Sequence, residues 1–175
     1  MLGLLRHAKS GWDDLAVRDF DRGLNDRGRR GAAAMGAHAR RLGLGWDLAI
    51  ASPAERVRAT IASSGLGLTP EWDERLYLAD AATLMAVLRE TGREEERILL
   101  VGHNPGLQEL VFRLVDPEHE DALFAAASEK FPTAALAVLE VDIDDWRDIS
   151  AGCGKLTHFA RPRDLDPALG PEHSR

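Results

Sequence analysis

The stretch that decides the fold is MLGLLRHAKSGW, residues 1–12, in which an apolar run gives way abruptly to charged and polar side chains. Residues 2–5 form the apolar run and predict a short buried β-strand. Arg6 and His7 follow at once, so a cation and an imidazole come directly after the strand. The sequence therefore predicts that a polar pocket begins where this strand ends.

Length, charge and cysteine content limit the classes of protein that fit. The chain has 175 residues, enough for one compact domain. Its formal net charge of -7 opposes binding to nucleic acids and anionic membranes, so neither partner is expected. Cys153 is the only cysteine and cannot form an intramolecular disulfide. With no apolar stretch that suits secretion or membrane insertion, these features favour a cytoplasmic protein.

Helices are predicted by caps and by the helical spacing of apolar residues. One covers residues 25–42, with Asn25 or Asp26 as its N-cap. In the stretch SPAERVRAT, Ser52 is the predicted N-cap of another helix and Glu55 its capping-box partner. The other two predicted helices begin at Asp80 and Pro105, and the first of them ends at Gly92.

Strands are predicted between these helices. Residues 47–51 and 97–102 are apolar runs of strand length, and residues 134–142 and 146–149 predict a hairpin that turns at 142–145. Strands that alternate with helices indicate an α/β layer fold with a largely parallel sheet, here with an antiparallel edge. One domain is expected over residues 1–165, followed by a flexible, Pro- and Gly-containing tail over residues 166–175.

Three of the predicted strands lead into side chains that suit a phosphate group. Arg6 and His7 follow the first strand, Arg56 follows the second, and His103 follows the third. Because the carboxyl ends of parallel strands meet at one edge of a sheet, we expect these side chains to converge. Guanidinium groups and helix N-termini bind tetrahedral anions. One imidazole can attack phosphorus while the other stabilises the equatorial oxygens, so the pattern predicts phosphoryl transfer.

A metal site is the alternative interpretation of the same histidines. His7 and His103 could act as ligands together with Asp19 or Asp21. The guanidinium of Arg6 beside His7 would repel a cation, and the chain contains neither an H-x-x-x-H nor a C-x-x-C motif. The phosphate site is therefore favoured, and no metal or other cofactor is expected.

Three motifs of the chain resemble those of the histidine phosphatase superfamily. LLRHAKSGW is similar to its arginine-histidine signature, SPAERVRAT to its second-arginine motif, and VGHNPGL to its second-histidine motif. The stretches DFDRGLNDRGRRGA, ERLYLAD and KFPTAALAVLEVD resemble the small SixA-like phosphohistidine phosphatases. The resemblance covers residues 2–165. It implies a phosphoglycerate mutase-like fold, with three α/β/α layers around a mostly parallel sheet.

The same resemblance implies roles for the motif residues. His7 corresponds to the phosphorylated nucleophile, Arg6 and Arg56 to the phosphate-binding arginines, and His103 to the second histidine of the phosphate pocket. Glu74 in the ERLY stretch stands where phosphomonoester members of the superfamily carry their proton donor. An exposed glutamate beside an arginine is equally often a surface ion pair.

Four further polar residues lie next to the motif positions. Lys9, Ser10 and Asn104 are near enough in sequence to line the phosphate pocket, and a turn or cap role is an equal alternative for each. Arg58 lies two residues after Arg56, on another face of the predicted helix. A salt bridge is the expected role of Arg58.

The leading hypothesis is a metal-independent phosphatase that removes phosphate from phosphohistidine on a protein substrate, through a phospho-His7 intermediate. Imidazole leaves phosphorus more easily than an alkoxide does, so a weak proton donor suits phosphohistidine better than a sugar phosphate. Residues 76–97 hold only a short segment and one helix, which predicts an open site. The alternatives are a phosphomonoesterase of the same fold acting on a small phosphate ester, and a non-catalytic phosphoprotein-binding module.

Overall fold

The computed structural model of the protein describes residues 1–91 and 94–171. Within them, one sheet contains β1 (Leu2–Arg6), β2 (Leu48–Ala51), β3 (Glu71–Trp72), β4 (Ile98–Gly102), β5 (Leu136–Val141) and β6 (Gly154–Ala160). The helices are α1 (Asp26–Arg41), α2 (Glu55–Ser64), α3 (Ala81–Thr91), α4 (Gly106–Leu114), α5 (Ala122–Glu129) and α6 (Pro162–Leu165). The strand order is β3-β2-β4-β1-β5-β6; β5 pairs antiparallel with both β1 and β6, and the other pairs are parallel. This confirms the predicted α/β fold with an antiparallel edge.

Helices cover both faces of the sheet and make the fold three-layered. Leu4 of β1 and Leu100 of β4 pack into a core with α3 and α4, whereas Leu5 and Val101 pack into a second core with α1 and α2. Successive side chains of a strand point to opposite faces, so a strand buried on both faces is apolar at nearly every position. This is why residues 2–5 form a continuous apolar run.

The pairing of β1 with β4 determines where the polar site forms. Arg6 lies opposite Gly102 in the parallel register, and the backbone N–H of His7 donates to the Gly102 carbonyl at 2.9 Å. The residue that follows β4 is His103, so the two motif histidines leave adjacent strands at the same level. The sheet therefore brings together residues that lie almost a hundred positions apart in the sequence.

Most predicted helix starts are found in the structure. The Asn25 side chain caps α1 by accepting a hydrogen bond from the Gly28 N–H at 2.8 Å. Asp80 accepts one from the Thr83 N–H at 2.8 Å before α3, and α4 begins directly after Pro105. The predicted end of α3 at Gly92 lies outside the described residues.

The predicted N-cap of α2 is wrong. Ala54 occupies the N-cap position, and no side chain caps this helix end. The Ser52 hydroxyl is instead hydrogen-bonded to His103 Nε2 at 2.8 Å. His103, at the end of the neighbouring strand β4, thus binds the hydroxyl that the local sequence pattern predicts as the helix cap.

The second strand of the predicted hairpin is also misplaced. Trp146–Asp148 form a 3-10 turn, which the Asp145 side chain caps by accepting a hydrogen bond from the Arg147 N–H at 2.8 Å. Trp146 is buried, and its indole N–H donates to the Glu95 carbonyl. The strand that pairs with β5 is β6, further along the chain. Helix α5 was not predicted from the sequence at all.

The C-terminal segment contains packed residues where a flexible tail was expected. Pro167–Leu169 form a 3-10 turn, Leu169 is 8% exposed, and Arg27 donates to its carbonyl at 2.9 Å. This turn is held against α1, while the flexibility expected of residues 166–175 stays a prediction, and residues 172–175 lie outside the described part. Among the described residues, no helix has the length and apolar character needed to cross a membrane.

Candidate active site

The two motif histidines meet at the carboxyl edge of the sheet. The ring centroids of His7 and His103 are 5.2 Å apart, with an angle of 53° between the ring planes. His7 is 8% exposed and His103 is 3% exposed. Two buried imidazoles that face each other in this way form the centre of a polar site enclosed by the sheet ends.

The hydrogen bond of His7 determines which of its nitrogens can react. Nδ1 lies 2.7 Å from the backbone carbonyl oxygen of Ala8. A carbonyl oxygen only accepts, so Nδ1 carries the hydrogen and Nε2 keeps its lone pair. The Ala8 N–H in turn donates to Thr60 Oγ1 at 2.8 Å, and the Thr60 hydroxyl donates to the Arg56 carbonyl at 2.6 Å. The His7 ring, with Nε2 free of a proton, is therefore oriented by contacts that reach into α2.

The pKa values of both histidines lie far below the ordinary value. Burial lowers the pKa of His7 to about 4, and the nearby Arg6 and Arg56 guanidiniums also lower it, while the hydrogen bond to Ala8 opposes the shift. Burial lowers the pKa of His103 to about 3, with further contributions from His7 and Arg56. Both rings are therefore neutral near pH 7, and a neutral His7 can use its lone pair to attack phosphorus.

Arg56 is held in place by an acidic residue from the loop after β1. Its guanidinium is buried and donates to the Asp19 carbonyl at 2.6 Å and to Asp19 Oδ2 at 3.0 Å. The Asp19 carboxylate also accepts hydrogen bonds from the Tyr77 hydroxyl and from Arg22. The Tyr77 bond and the charge of Arg56 lower the pKa of Asp19 to about 2. Asp19 is thus an ionised positioning group for Arg56.

Two buried nitrogens of the site lack a partner in the described structure. They are Nε of Arg6 and Nδ1 of His103. Arg6 Nη1 donates to the Phe131 carbonyl at 2.9 Å, and His103 Nε2 pairs with the Ser52 hydroxyl. A buried polar atom without a partner is costly, and such atoms concentrate where a ligand supplies the missing hydrogen bond. Both orphaned atoms belong to residues that the motifs assign to phosphate binding.

Other predicted site residues have structural contacts instead. Asn104 Nδ2 donates to the Phe131 carbonyl at 2.9 Å and its Oδ1 accepts from the Gln108 N–H at 3.2 Å, so its side chain caps α4 and ties down a loop. Ser10 is buried and forms a backbone bridge to Leu24. The Asn104 contacts fit the cap alternative, whereas the Ser10 bridge is a backbone contact, and the role of the Ser10 side chain stays a prediction.

Glu74 lies apart from this cluster of contacts. It is exposed in the 3-10 turn Glu74–Leu76, and within the described residues no hydrogen bond or ion pair connects it to either motif histidine. Its neighbour Arg75 pairs with Asp73 and with Glu90 rather than with Glu74. Within residues 1–91 and 94–171, Glu74 therefore has neither the surface ion pair nor a contact that would orient it as an acid.

Arg58 and Asp19 show where side-chain roles differ from the sequence patterns. The Arg58 guanidinium stacks 4.1 Å from the Trp72 ring centroid, and the described residues give it no salt bridge. Asp19, considered above only as a metal ligand, binds arginines. No group of three or more His, Cys, Asp or Glu side chains that could hold a metal ion occurs in residues 1–91 and 94–171.

A neutral histidine pair with two neighbouring arginines lies at the carboxyl edge of this three-layer α/β fold, an arrangement whose chemistry suits a phosphate group. The sequence profile of the histidine phosphatase superfamily (branch 1) matches residues 2–80. An uncharacterized protein of Mycobacterium tuberculosis (Rv1276c) is 37% identical over 160 residues, which cover 91% of this chain and 100% of that protein. The chain belongs to the histidine phosphatase superfamily, a class of phosphatases.

Solved structures place the chain within this superfamily more closely. The SixA protein of Nakamurella multipartitia is 27% identical, with a TM-score of 0.81 over 92% of this chain and 95% of that one. The SixA protein of Agrobacterium tumefaciens is 29% identical, with a TM-score of 0.75 over 92% of this chain and 97% of that one. The protein is therefore SixA-like and has the phosphoglycerate mutase-like fold that its motifs predicted.

Acid should destabilise the fold through the two site histidines. Their folded pKa values of about 4 and about 3 lie below the ordinary value of 6.5, so the unfolded chain binds more protons at intermediate pH. Their contribution to stability is complete above pH 6.5 and is lost as the pH falls toward the folded values. We expect the free energy of unfolding to drop by roughly 3 kcal/mol or more between pH 7 and pH 4.5.

Urea unfolding followed by circular dichroism at several pH values measures this slope. Carboxylates also titrate in this range, so the comparison variants are His7→Gln and His103→Gln, each of which should flatten the pH dependence. If the free energy of unfolding depends on pH equally in the wild type and in both variants, the lowered pKa values of His7 and His103 are not its cause.

Proposed function

We propose that the protein hydrolyses phosphohistidine on a protein substrate through a phosphohistidine intermediate at His7, without a metal ion. One observation carries the proposal: His7 donates from Nδ1 to the Ala8 carbonyl and so presents a neutral Nε2 beside the two arginines. A mere phosphate-binding module would need the arginines but not an imidazole prepared in this way.

In the proposed reaction, the lone pair of His7 Nε2 attacks phosphorus and the bond from phosphorus to the substrate imidazole breaks. The distal nitrogen of the substrate imidazole takes up a proton from solvent before or as this bond breaks, so the ring leaves neutral. Water then attacks the phosphoryl group on His7, which releases phosphate and restores the neutral ring. Arg6, Arg56 and His103 are proposed to bind the equatorial oxygens, where charge is concentrated in phosphoryl transfer. Asp19 keeps the buried Arg56 guanidinium oriented through both steps.

Two features favour phosphohistidine over a phosphate ester. Imidazole leaves phosphorus as a neutral ring once solvent has protonated its other nitrogen, whereas an alkoxide needs a well-placed acid. Glu74, where such an acid would be expected, is exposed and has no oriented contact with the site in the described residues. The SixA proteins to which the chain is similar also carry the name phosphohistidine phosphatase.

A substrate panel tests the proposal. The purified protein is incubated with phosphohistidine-bearing proteins and, in parallel, with sugar phosphates and nucleotide monophosphates, and released phosphate is measured. We expect the highest kcat/KM with phosphohistidine, and we expect Glu74→Gln to reduce ester hydrolysis more than phosphohistidine hydrolysis. If only esters are hydrolysed and Glu74→Gln abolishes that activity, the protein is a small-molecule phosphomonoesterase. Tight binding of phosphoproteins with no release of phosphate would identify a binding module.

A further inference from the structure

A cleft of about 350 Å³ borders the candidate active site, and Arg6 lines it. Its other walls come from α1, from the loop over residues 130–134 and from the C-terminal segment that begins at Pro162. The volume lies within the range of ligand-binding pockets. Neither His7 nor His103 is among the described residues that line it. The cleft is therefore a compartment next to the proposed phosphate pocket and distinct from it.

The lining of this cleft is strongly basic. It includes five cationic side chains and, among the described residues, no carboxylate. The five are Arg6, Lys9, Arg27, Lys130 and Arg163. None of them forms an ion pair within the described part of the chain, and the adjacent Asp164 pairs with Arg161 instead. We call this compartment the basic cleft.

Uncompensated positive charge stands out in this protein. The whole chain carries a formal net charge of -7, so its overall field repels anions. A concave surface lined by one sign of charge focuses the local field and attracts ligands of the opposite sign. Arg27 and Gly28, in the first turn of α1, also bring the positive end of that helix to the cleft wall. The basic cleft is thus a local anion site on an acidic protein.

The walls of the basic cleft are tied to the strand end that carries the proposed nucleophile. Arg6 Nη1 donates to the Phe131 carbonyl at 2.9 Å, and the Ala134 N–H donates to the His7 carbonyl at 3.0 Å. Arg6 therefore belongs to both compartments. The loop over residues 130–134, which forms one wall of the basic cleft, is hydrogen-bonded to the backbone of the proposed phosphate pocket at His7. The basic cleft and the proposed phosphate pocket are therefore held at a fixed distance from each other, so one ligand can occupy both.

We infer that the basic cleft binds a second anionic group of the substrate, beside the phosphoryl group that His7 attacks. This inference deepens the proposed function and rests on it. The group is a carboxylate or a phosphate that is bound and not hydrolysed. It comes either from acidic side chains that flank the phosphohistidine of a protein substrate or from a second phosphate on a small ester.

Matched peptides test the inference. Two phosphohistidine peptides differ only in their flanking residues, which are glutamates in one and serines in the other. We expect the wild-type kcat/KM to be about fivefold higher for the glutamate peptide at low ionic strength. This preference should shrink in about 0.5 M salt, which screens charges across more than a few ångströms. The small-molecule arm compares glucose 1,6-bisphosphate with glucose 6-phosphate and shows which source of the anion is preferred.

Two charge reversals locate the effect. Lys130→Glu introduces a negative charge into the basic cleft and should abolish the preference for glutamate. Lys155→Glu makes the same change at an exposed lysine of β6 outside the cleft and should leave the preference intact. Arg163→Gln provides a second cleft variant, and circular dichroism checks that each variant is folded. Equal effects of Lys130→Glu and Lys155→Glu, or no anion preference with either pair of substrates, would overturn the inference.

A binding measurement separates this inference from the proposed function. Isothermal titration of the unphosphorylated glutamate peptide needs no turnover, so it can be carried out with the His7→Ala protein. We expect binding that is several-fold weaker in the additional presence of Lys130→Glu. If no phosphohistidine substrate is hydrolysed but this binding persists, the proposed function fails and the anion site stands. If hydrolysis occurs and the binding does not, the anion site fails alone.

Discussion

Replacing His7 by alanine is expected to lower phosphohistidine turnover by roughly a thousandfold or more, because the covalent route disappears with its nucleophile. During turnover the wild-type enzyme should carry phosphate that is labile in acid and stable in base, as expected for phosphohistidine. Rapid quenching after mixing with radiolabelled phosphohistidine protein measures this label directly. The His7→Ala protein should show none, and wild-type activity should be unchanged by a metal chelator.

His119→Ala is the matched control, because His119 is an exposed histidine in the 3-10 turn Pro117–His119. It should retain both the label and the turnover. The covalent mechanism would be refuted by turnover that survives His7→Ala, or by a label that remains on the variant while substrate is consumed.

The second large effect is expected at Arg56. Arg56→Ala should reduce kcat/KM by about a hundredfold to a thousandfold, the range found when one preorganised donor to a developing charge is removed. Arg56→Lys should recover only part of the loss, because an ammonium group cannot reproduce the forked geometry of a guanidinium. Steady-state kinetics on phosphohistidine protein measures both variants. Asp19→Asn should give a smaller loss, since it leaves Arg56 present but less firmly oriented.

Arg58→Ala tests whether the effect is specific to the site. Arg58 lies on the same helix, is exposed and contacts Trp72 outside the phosphate pocket. Its removal should leave kcat/KM within about twofold of the wild type, as expected for an exposed side chain outside the site. Arg56 is buried and binds Asp19, so thermal unfolding must be compared for all four variants. Equal losses in Arg56→Ala and Arg58→Ala would point to a general effect of positive charge.

The positions of residues that directly follow a strand were predictable from the sequence. An apolar run followed at once by Arg6 and His7, or by His103, already indicates a strand that ends at a polar edge. The sheet rule then places these residues together without any knowledge of side-chain positions. The structure shows the predicted meeting of the two imidazoles, while their catalytic roles stay a proposal.

Residues whose roles depend on contacts between distant segments were not predictable. Asp19 has no local signal as the partner of Arg56, because the two lie on a loop and a helix far apart in sequence. Ser52 satisfies every local rule for an N-cap, yet it hydrogen-bonds His103. For Trp146, burial against a segment fifty residues away outweighs the strand-like local pattern.

By itself, the sequence determined the α/β class, the three strand ends and the residue types at the phosphate pocket. These follow from apolar periodicity and from order along the chain, which are local properties. Only the tertiary structure decided which nitrogen of His7 keeps its lone pair, the attachment of Arg56 to Asp19 and the grouping of five cations in the basic cleft. The physical reason is that hydrogen-bond partners, burial and local electric fields depend on neighbours in space, and the sheet brings those neighbours from separate parts of the chain.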